Sequence, residues 1–413
     1  MKKKLLIIIF LFTSTFGQSN NFNISILSTP ETKSPMLNSK FKGINENNFL
    51  LVPYIELEKN SYKFISRSFL GAARSEIDLL LLQYSLNKIN LKAGKFSRNI
   101  TTENILKSSG SMIESNNSLK PWRIGGDFYY QLNTRLSFYG DIYHGIIDKN
   151  KSYLKDPFLH EKSFYLDYKS NNSKFTFGIV HNTIWGGKVN GFGDLGGSFQ
   201  DWLDVIIGDP GNDNKPDGEQ VNSLGDAFGI FDFSYSLTLK TFNFRAYHQH
   251  FFEDKSGMQF KNKFDGLYGL ELSNKKYFLL LEHLNTKNQS GNIHPPGLDS
   301  YYWNMIYTEG WVYDNQVIGN PYINPNNNRI ILDHILLEKK SDKFSILFSY
   351  LNHKIFKSFN GTNNDLEFDL TNDLVKSKSE FFVGFEKKFN NYDLSILSEL
   401  NKKENIIELN YIF

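Results

Sequence analysis

His248, His250, Glu253 and Asp254 crowd one short stretch of the chain. Imidazoles two residues apart on a strand share a face, which is the spacing a metal pair needs. That face also carries Phe242, Phe244 and Ala246, so the histidines fit equally well as hydrogen-bonding residues at the rim of an apolar wall. His181 and His283 are similarly placed. A second concentration runs from Asp209 to Glu219 and is rich in Asp, Asn, Gly and Pro. Its carboxylates and carbonyls suit calcium, but it lacks the every-second-residue ligand spacing of an EF-hand, and the same residues build turns. Serines and histidines fall near strand ends, with no spacing that pairs a nucleophile with a base. There is no phosphate loop, zinc motif or nucleotide fingerprint. These observations assign no catalytic residue, no metal and no cofactor, and the expectation is a protein that is not an enzyme.

The aromatic residues suggest other chemistry. Trp185, Trp202, Tyr301, Tyr302, Trp303, Trp311 and Tyr313, with Asp314, gather in two long polar segments. Flat rings can cover the C–H faces of sugars while neighbouring amides and carboxylates take the hydroxyls. These eight are the candidate glycan-contacting residues. The alternative is that they pack loops together or form an aromatic girdle at a membrane interface.

The elements that must position these residues are strands. Ala227, Gly229, Phe231, Phe233, Tyr235, Leu237 and Leu239 alternate with Asp232, Ser234, Ser236, Thr238 and Lys240. Ile407, Leu409, Tyr411 and Phe413 likewise alternate with Glu408 and Asn410 at the end of the chain. A two-residue period means a strand with different surroundings on its two faces. Such segments predict sixteen strands, at 61–70, 76–85, 88–97, 123–132, 134–144, 162–170, 173–181, 227–240, 241–252, 265–274, 276–287, 329–340, 342–353, 379–389, 391–400 and 404–413. Two more, at Tyr301–Tyr307 and after Trp311, would make eighteen.

The connections alternate between tight turns and long segments, the longest being 182–226 and 288–328. Only the link at 401–403 breaks the pattern. Outer-membrane barrels have short periplasmic turns and long outer loops, so the parity predicts a single antiparallel transmembrane β-barrel of 16–18 strands, with 18 favoured. Inner-face positions then include Arg135, Asp141, Asp232, Arg245 and Glu399.

Composition agrees. Aromatics make up 15% of the chain, with 37 Phe, 22 Tyr and 5 Trp, which fits strands and interfacial girdles. The mean hydropathy of −0.40 does not oppose a barrel, because only alternate strand residues meet lipid. There is no cysteine, hence no disulfide and no thiolate site. A net charge of +2 argues against nucleic acid as a partner. Lys2–Lys4, the apolar run Leu5–Phe12, and small residues at Thr15 and Gly17 predict a signal peptide over 1–17. The run is too short for a hydrocarbon core of about 30 Å. Residues 18–60 show little alternation apart from Phe49–Glu56, and are expected to form a periplasmic N-terminal segment or plug, with the barrel over 61–413.

From Gly178 to Pro321 the chain resembles the capsule assembly Wzi family, as found in the Bacteroidetes. The resemblance is carried by Gly178-Ile-Val-His-Asn-Thr-Ile-Trp185-Gly-Gly187, Tyr247-His-Gln-His-Phe-Phe-Glu-Asp-Lys-Ser-Gly257, Phe264-Asp-Gly-Leu-Tyr-Gly269 and Asn288-Gln-Ser-Gly291. Tyr301-Tyr-Trp-Asn-Met-Ile-Tyr-Thr-Glu-Gly-Trp311-Val-Tyr313 and Ile318-Gly-Asn-Pro321 follow in order. The resemblance implies an eighteen-stranded, closed outer-membrane barrel and a lectin-like surface protein that helps assemble or anchor capsular polysaccharide.

The expectation is therefore a bacterial outer-membrane protein with its loops at the cell surface, taking part in capsule or exopolysaccharide attachment. Its expected partners are capsular or extracellular polysaccharide, outer-membrane lipid and the barrel-assembly machinery. A porin or substrate-specific channel is the alternative, since a barrel of this circumference can enclose a lumen.

Overall fold

The computed structural model describes residues 19–413 apart from 33, 45–48, 99, 101–106, 149–151, 211–215, 217–222, 254, 290–299, 327 and 359–373. The expected signal peptide, most of Asp209–Glu219, and Asp254 lie outside the described residues.

Eighteen antiparallel strands form one sheet that closes on itself. They are β1 (Ser19–Ser28), β2 (Phe49–Lys59), β3 (Tyr62–Leu70), β4 (Ser75–Leu86), β5 (Ile89–Lys95) and β6 (Trp122–Gln131). Next come β7 (Leu136–Ile146), β8 (Phe158–Lys169), β9 (Ser173–Trp185), β10 (Asp226–Leu239), β11 (Phe242–Phe252) and β12 (Gly266–Ser273). The circuit ends with β13 (Tyr277–Asn285), β14 (Ile330–Lys340), β15 (Phe344–Phe356), β16 (Leu374–Lys388), β17 (Tyr392–Glu399) and β18 (Glu404–Ile412). Each strand pairs with its sequence neighbours, and β1 pairs β18 from Asn23↔Ile412 to Leu27↔Glu408. Closure leaves no unpaired edge, which is what lets a sheet span hydrocarbon. Among the described residues no helix is long and apolar enough to cross a membrane.

All sixteen expected strands are present. The remaining two come from elsewhere than 288–328, whose described residues pair only as a short hairpin, Val312–Tyr313 with Gln316–Val317. They are β1 and β2, within the stretch 18–60 expected to be a periplasmic segment or plug. That reading is corrected by ten consecutive pairs between β1 and β2, from Ser19↔Glu58 to Ser28↔Phe49. The helix α1 (Pro35–Phe41) lies in the connection between them, started by Pro35 in its first turn and closed by Lys42 in the left-handed region.

One rim carries the tight turns, such as 60–61, 87–88 and 240–241. The other carries the connections 29–48, 96–121, 147–157, 186–225, 253–265, 286–329 and 357–373. Gly71–Arg74 joins 400–403 as a second short link on that loop-bearing rim.

The period-2 pattern sorts the faces. Ile407, Leu409, Tyr411 and Phe413 are exposed on the outer wall, whereas Ile406 is buried inside. Of the expected inner-face residues, Asp141, Asp232, Arg245 and Glu399 are buried, whereas Arg135 is exposed in the tight connection just before β7 and does not face the lumen. Cross-strand glycines make room for large inner rings. A Cβ at Gly178 would sit 2.0 Å from the ring of Tyr165, its partner on β8. Gly269 and Tyr247 repeat the arrangement on β12 and β11, at 1.9 Å.

Candidate functional site: a plugged lumen below the loop-bearing rim

The lumen is filled from the loop-bearing side. Residues 107–120, from the β5–β6 connection, run inward, and every residue from Ser109 to Ser115 is buried. Polar side chains of the wall fix this plug. Glu282 on β13 accepts from Ser108 Oγ and from the Ser109 amide, both at 2.6 Å. Gln249 on β11 accepts from Ser111 Oγ at 3.1 Å and from the Met112 amide at 3.2 Å. A buried backbone in a lumen needs such partners, because no strand neighbour supplies them.

Residues 300–323, from the β13–β14 connection, lie over the plug as a lid. Tyr302 donates its hydroxyl to the Met112 carbonyl at 2.5 Å and accepts from the Asn320 amide at 3.0 Å. Asn320 Nδ2 donates to the Gly110 carbonyl at 2.7 Å, and Asn117 Nδ2 to the Val317 carbonyl at 3.0 Å. Trp311 Nε1 donates to the Ile113 carbonyl at 2.7 Å. α1 completes the packing. Leu37 and Phe41 join Met112, Ile113, Leu119, Tyr302, Trp311 and Ile318 in one apolar core. Asn38 Nδ2 reaches Gln316 Oε1 at 2.7 Å, and the Lys42 ammonium contacts both oxygens of Asn116. Burial holds that ammonium well below its usual range, and Asp78 partly opposes the shift.

Charges anchor the plug's far end. Glu114 lies 2.9 Å from Arg123 Nη2 and 3.1 Å from Lys120 Nζ. Arg123 also binds Glu161 on β8 at 2.6 Å, and Arg98 binds Asp141 on β7 at 2.6 Å. Burial would raise the Glu114 carboxyl, but Arg123, Lys120 and Arg98 reverse this and hold it at about 2. Each of these six buried charges thus has an opposite partner, without which burial costs several kcal/mol per ion.

Toward the tight-turn rim the lumen opens. A cavity of about 250 Å³ reaches the underside of the plug between Lys107, Tyr322, His334, Glu338, Glu386 and Glu408. Another, of about 330 Å³, is lined by Asp127, Tyr129, Tyr139, Asp167 and Lys174. Tyr139 stacks on Tyr165 there, with centroids 5.0 Å apart and an interplanar angle of 7°. The result is a vestibule open to one side and closed toward the other.

The structure separates the eight candidate glycan residues. Tyr301, Tyr302, Trp311, Tyr313 and Asp314 are buried in the lid. Tyr301 donates to Asp265 at 2.9 Å, Tyr313 donates to Asp148 at 2.6 Å, and Asp314 pairs with Arg74. Their rings and polar atoms hold loops together, the packing alternative of the sequence. Trp303 lies beside them half-buried. Trp185 and Trp202 are on the other side of the wall, outside the barrel, where Trp185 is buried and Trp202 half-buried. The lid cluster and the 185–202 pair therefore do not meet.

Among the described residues no group of three or more His, Cys, Asp or Glu is placed to hold a metal ion, and Asp254 of the histidine stretch lies outside them. His248 and His250 do share the outer face, where each stacks on neighbouring rings, Tyr268 at 4.2 Å and Phe260 at 4.3 Å. Their ring nitrogens contact the carbonyls of Leu267 and Gly257. Glu253 instead accepts the Tyr302 amide at 2.9 Å.

The plug itself was hidden in the sequence. Lys107-Ser-Ser-Gly-Ser-Met-Ile-Glu-Ser-Asn-Asn-Ser-Leu-Lys120 reads as an ordinary polar loop. Its only signal is the apolar pair Met112-Ile113 in the middle of a long connection.

Comparison with solved structures agrees with this architecture. The outer-membrane protein opdK of Pseudomonas aeruginosa is 8% identical, with 96% of this chain and 99% of that chain covered and a TM-score of 0.50. OccAB2 of Acinetobacter baumannii is also 8% identical, with 97% and 99% covered and a TM-score of 0.49. At such identity a likeness concerns the fold alone. No curated protein matches the chain. The family profile described as capsule assembly protein Wzi matches residues 71–351. That span includes the plug, the lid and the barrel wall from β4 into β15, and the chain accordingly belongs to the Wzi family of capsule assembly proteins.

Proposed function

We propose that this outer-membrane protein helps attach or assemble capsular or extracellular polysaccharide, which it holds at its loop-bearing rim, and that this rim faces outward from the cell. The observation that carries the reading is the plug. Residues 107–120 and their lid close the lumen on the loop side, so the elaborated surface is a platform rather than a mouth. Family membership supplies the capsule assembly role. Loop asymmetry supports the orientation, since outer-membrane barrels carry their long loops outside.

In this reading the buried aromatics of the lid give the platform its rigidity. Polysaccharide meets what remains open, with Trp303 as the stacking residue and neighbouring amides as hydrogen-bonding groups. No catalytic step is invoked. Deleting the gene and staining for capsule tests the proposal. Loss of cell-attached polysaccharide, restored by the gene, is the expected result, and an unchanged capsule overturns it. Binding of the refolded barrel to a glycan array would then identify the sugar class.

The channel reading has one observation in its favour, the vestibule that reaches the underside of the plug. A steady open conductance of the intact chain in a planar bilayer would select it.

A further inference from the structure

The β9–β10 connection returns to the barrel as a nine-residue helix, α2 (Phe199–Ile207), which lies against the outside of the wall. A capping box starts it: Ser198 Oγ accepts from the Asp201 amide at 3.1 Å, and Asp201 accepts from the Ser198 amide at 2.9 Å. Trp202 Nε1 donates to His144 Nε2 on β7 at 2.8 Å. Val205 packs in one cluster with Trp185, Leu224 and Phe158. Lys162 on β8 donates to the Ile206 carbonyl, placing a cation at the negative end of the helix.

His144, Phe158, Lys162 and Trp185 all occupy outward positions. His144 shares its face with exposed Ile142 and Ile146, Phe158 and Lys162 share theirs with Phe164, and Trp185 shares its own with Phe175. Lys162 is the fourth residue beyond Phe158, so at about 3.3 Å per residue the helix reaches roughly 13 Å down the wall from the strand ends. Among the described residues the opposite side of α2 is largely open, with Phe199 stacked on Trp202 of the same helix at 5.3 Å. Phe199 is 73% exposed and Ile207 67%, with half-buried Leu203 and Ile206 between them on the same stripe. This apolar stripe is continuous with the apolar outer wall of β7–β9.

We propose that α2 is an interfacial membrane helix. Its wall side is latched to the barrel through Trp202–His144 and Lys162–Ile206. Its free stripe is buried among lipid acyl chains at the head-group boundary of the leaflet next to the loop-bearing rim. The partner is a lipid bilayer, because the stripe continues a surface that already faces lipid and carries no charge of its own. The latch fixes the depth at which the whole loop-bearing rim sits.

The absence of cysteine makes the test clean. Phe199→Cys, Ile207→Cys and, as a control, Asp194→Cys are each labelled with an environment-sensitive fluorophore. The labelled barrels are reconstituted into vesicles of phosphatidylcholine and phosphatidylglycerol. Folding is verified by the heat-modifiable gel mobility of each variant. At 199 and 207 the emission should be blue-shifted relative to 194, strongly quenched by shallow nitroxide lipids and weakly quenched by aqueous iodide. Water-like emission with iodide quenching equal to that at 194 overturns the proposal. Protection from iodide without nitroxide quenching also overturns it, and assigns the stripe to a protein partner or a second copy of the chain.

Discussion

The indole N–H of Trp311 meets the backbone carbonyl of Ile113 at 2.7 Å, across 198 positions of sequence. One partner belongs to the lid and the other to the plug. Their bond, with those of Tyr302 and Asn320, makes two loops a single closure of the lumen. Replacing Ser108–Leu119 by a short Gly-Ser linker should remove that closure while leaving all eighteen strands intact. The intact chain is expected to give little current in a planar bilayer, and the linker variant a steady conductance. Equal currents would mean that the plug is not the barrier.

A milder change tests the lid. In Tyr302→Phe the Met112 carbonyl and the Asn320 amide lose their shared partner while buried. Leaving a buried polar group unpaired costs about 1–3 kcal/mol. The barrel should still form, because these bonds are not part of the strand ladder. Amide exchange in 107–120 should accelerate by about tenfold or more, on the scale of tenfold per 1.4 kcal/mol. Gly319→Ala should act in the same direction, since its Cβ would lie 2.1 Å from the Tyr302 hydroxyl and 2.3 Å from the Met112 carbonyl. Exchange unchanged in both variants would locate the closure elsewhere.

The plug should also respond to acid. Glu114 is held at about 2 in the folded chain, below the usual carboxylate range. A depressed folded value stabilises the plug above the unfolded value near 4.3. That contribution is lost as the pH falls from there toward 2. Once Glu114 is protonated, Arg123 and Lys120 lose an ion-pair partner inside the wall. Conductance of the intact chain is therefore expected to rise reversibly below about pH 4. Glu114→Gln should already leak at neutral pH, with a weaker acid response.

Much of this could be read from the sequence, for one physical reason. Lipid on one side and polar lumen on the other force a two-residue period, and Ala227–Lys240 shows it without interruption. β2 was legible only as the isolated alternation Phe49–Glu56, weakened because Phe49-Leu-Leu-Val-Pro53 is apolar at consecutive positions and contains a proline. Its inner side chains Leu50 and Val52 are buried against α1 and the plug, so both faces are apolar there. β1 escaped because it is rich in Asn and Ser and follows directly on the leader-like run. The candidate site was legible only as composition. Sequence places Tyr301, Tyr302, Trp311 and Tyr313 in a long loop, but burial depends on what the loop folds against. The plug shows no period at all, since side chains from strands distant in sequence satisfy its backbone.

The closing seam gives the sharpest test of the architecture. β1 and β18 pair along five positions, and the rings of Phe22 and Phe413 meet on the outer wall at 4.9 Å. The Phe413 amide donates to the Phe22 carbonyl at 3.2 Å. If residues 19–28 were a peripheral segment, their removal would leave the barrel folded. As the first strand they are indispensable, because without them β2 and β18 present unpaired edges to hydrocarbon. Deleting 19–28, with residues 1–18 retained, should abolish the heat-modifiable folded form and leave degraded or aggregated chain. Phe22→Ala removes only the ring contact, worth about 0.5–1.5 kcal/mol beyond area burial. It should lower the temperature at which the heat-modifiable band is lost while sparing assembly. A folded, protease-resistant barrel from the deletion variant would refute the eighteen-strand closure.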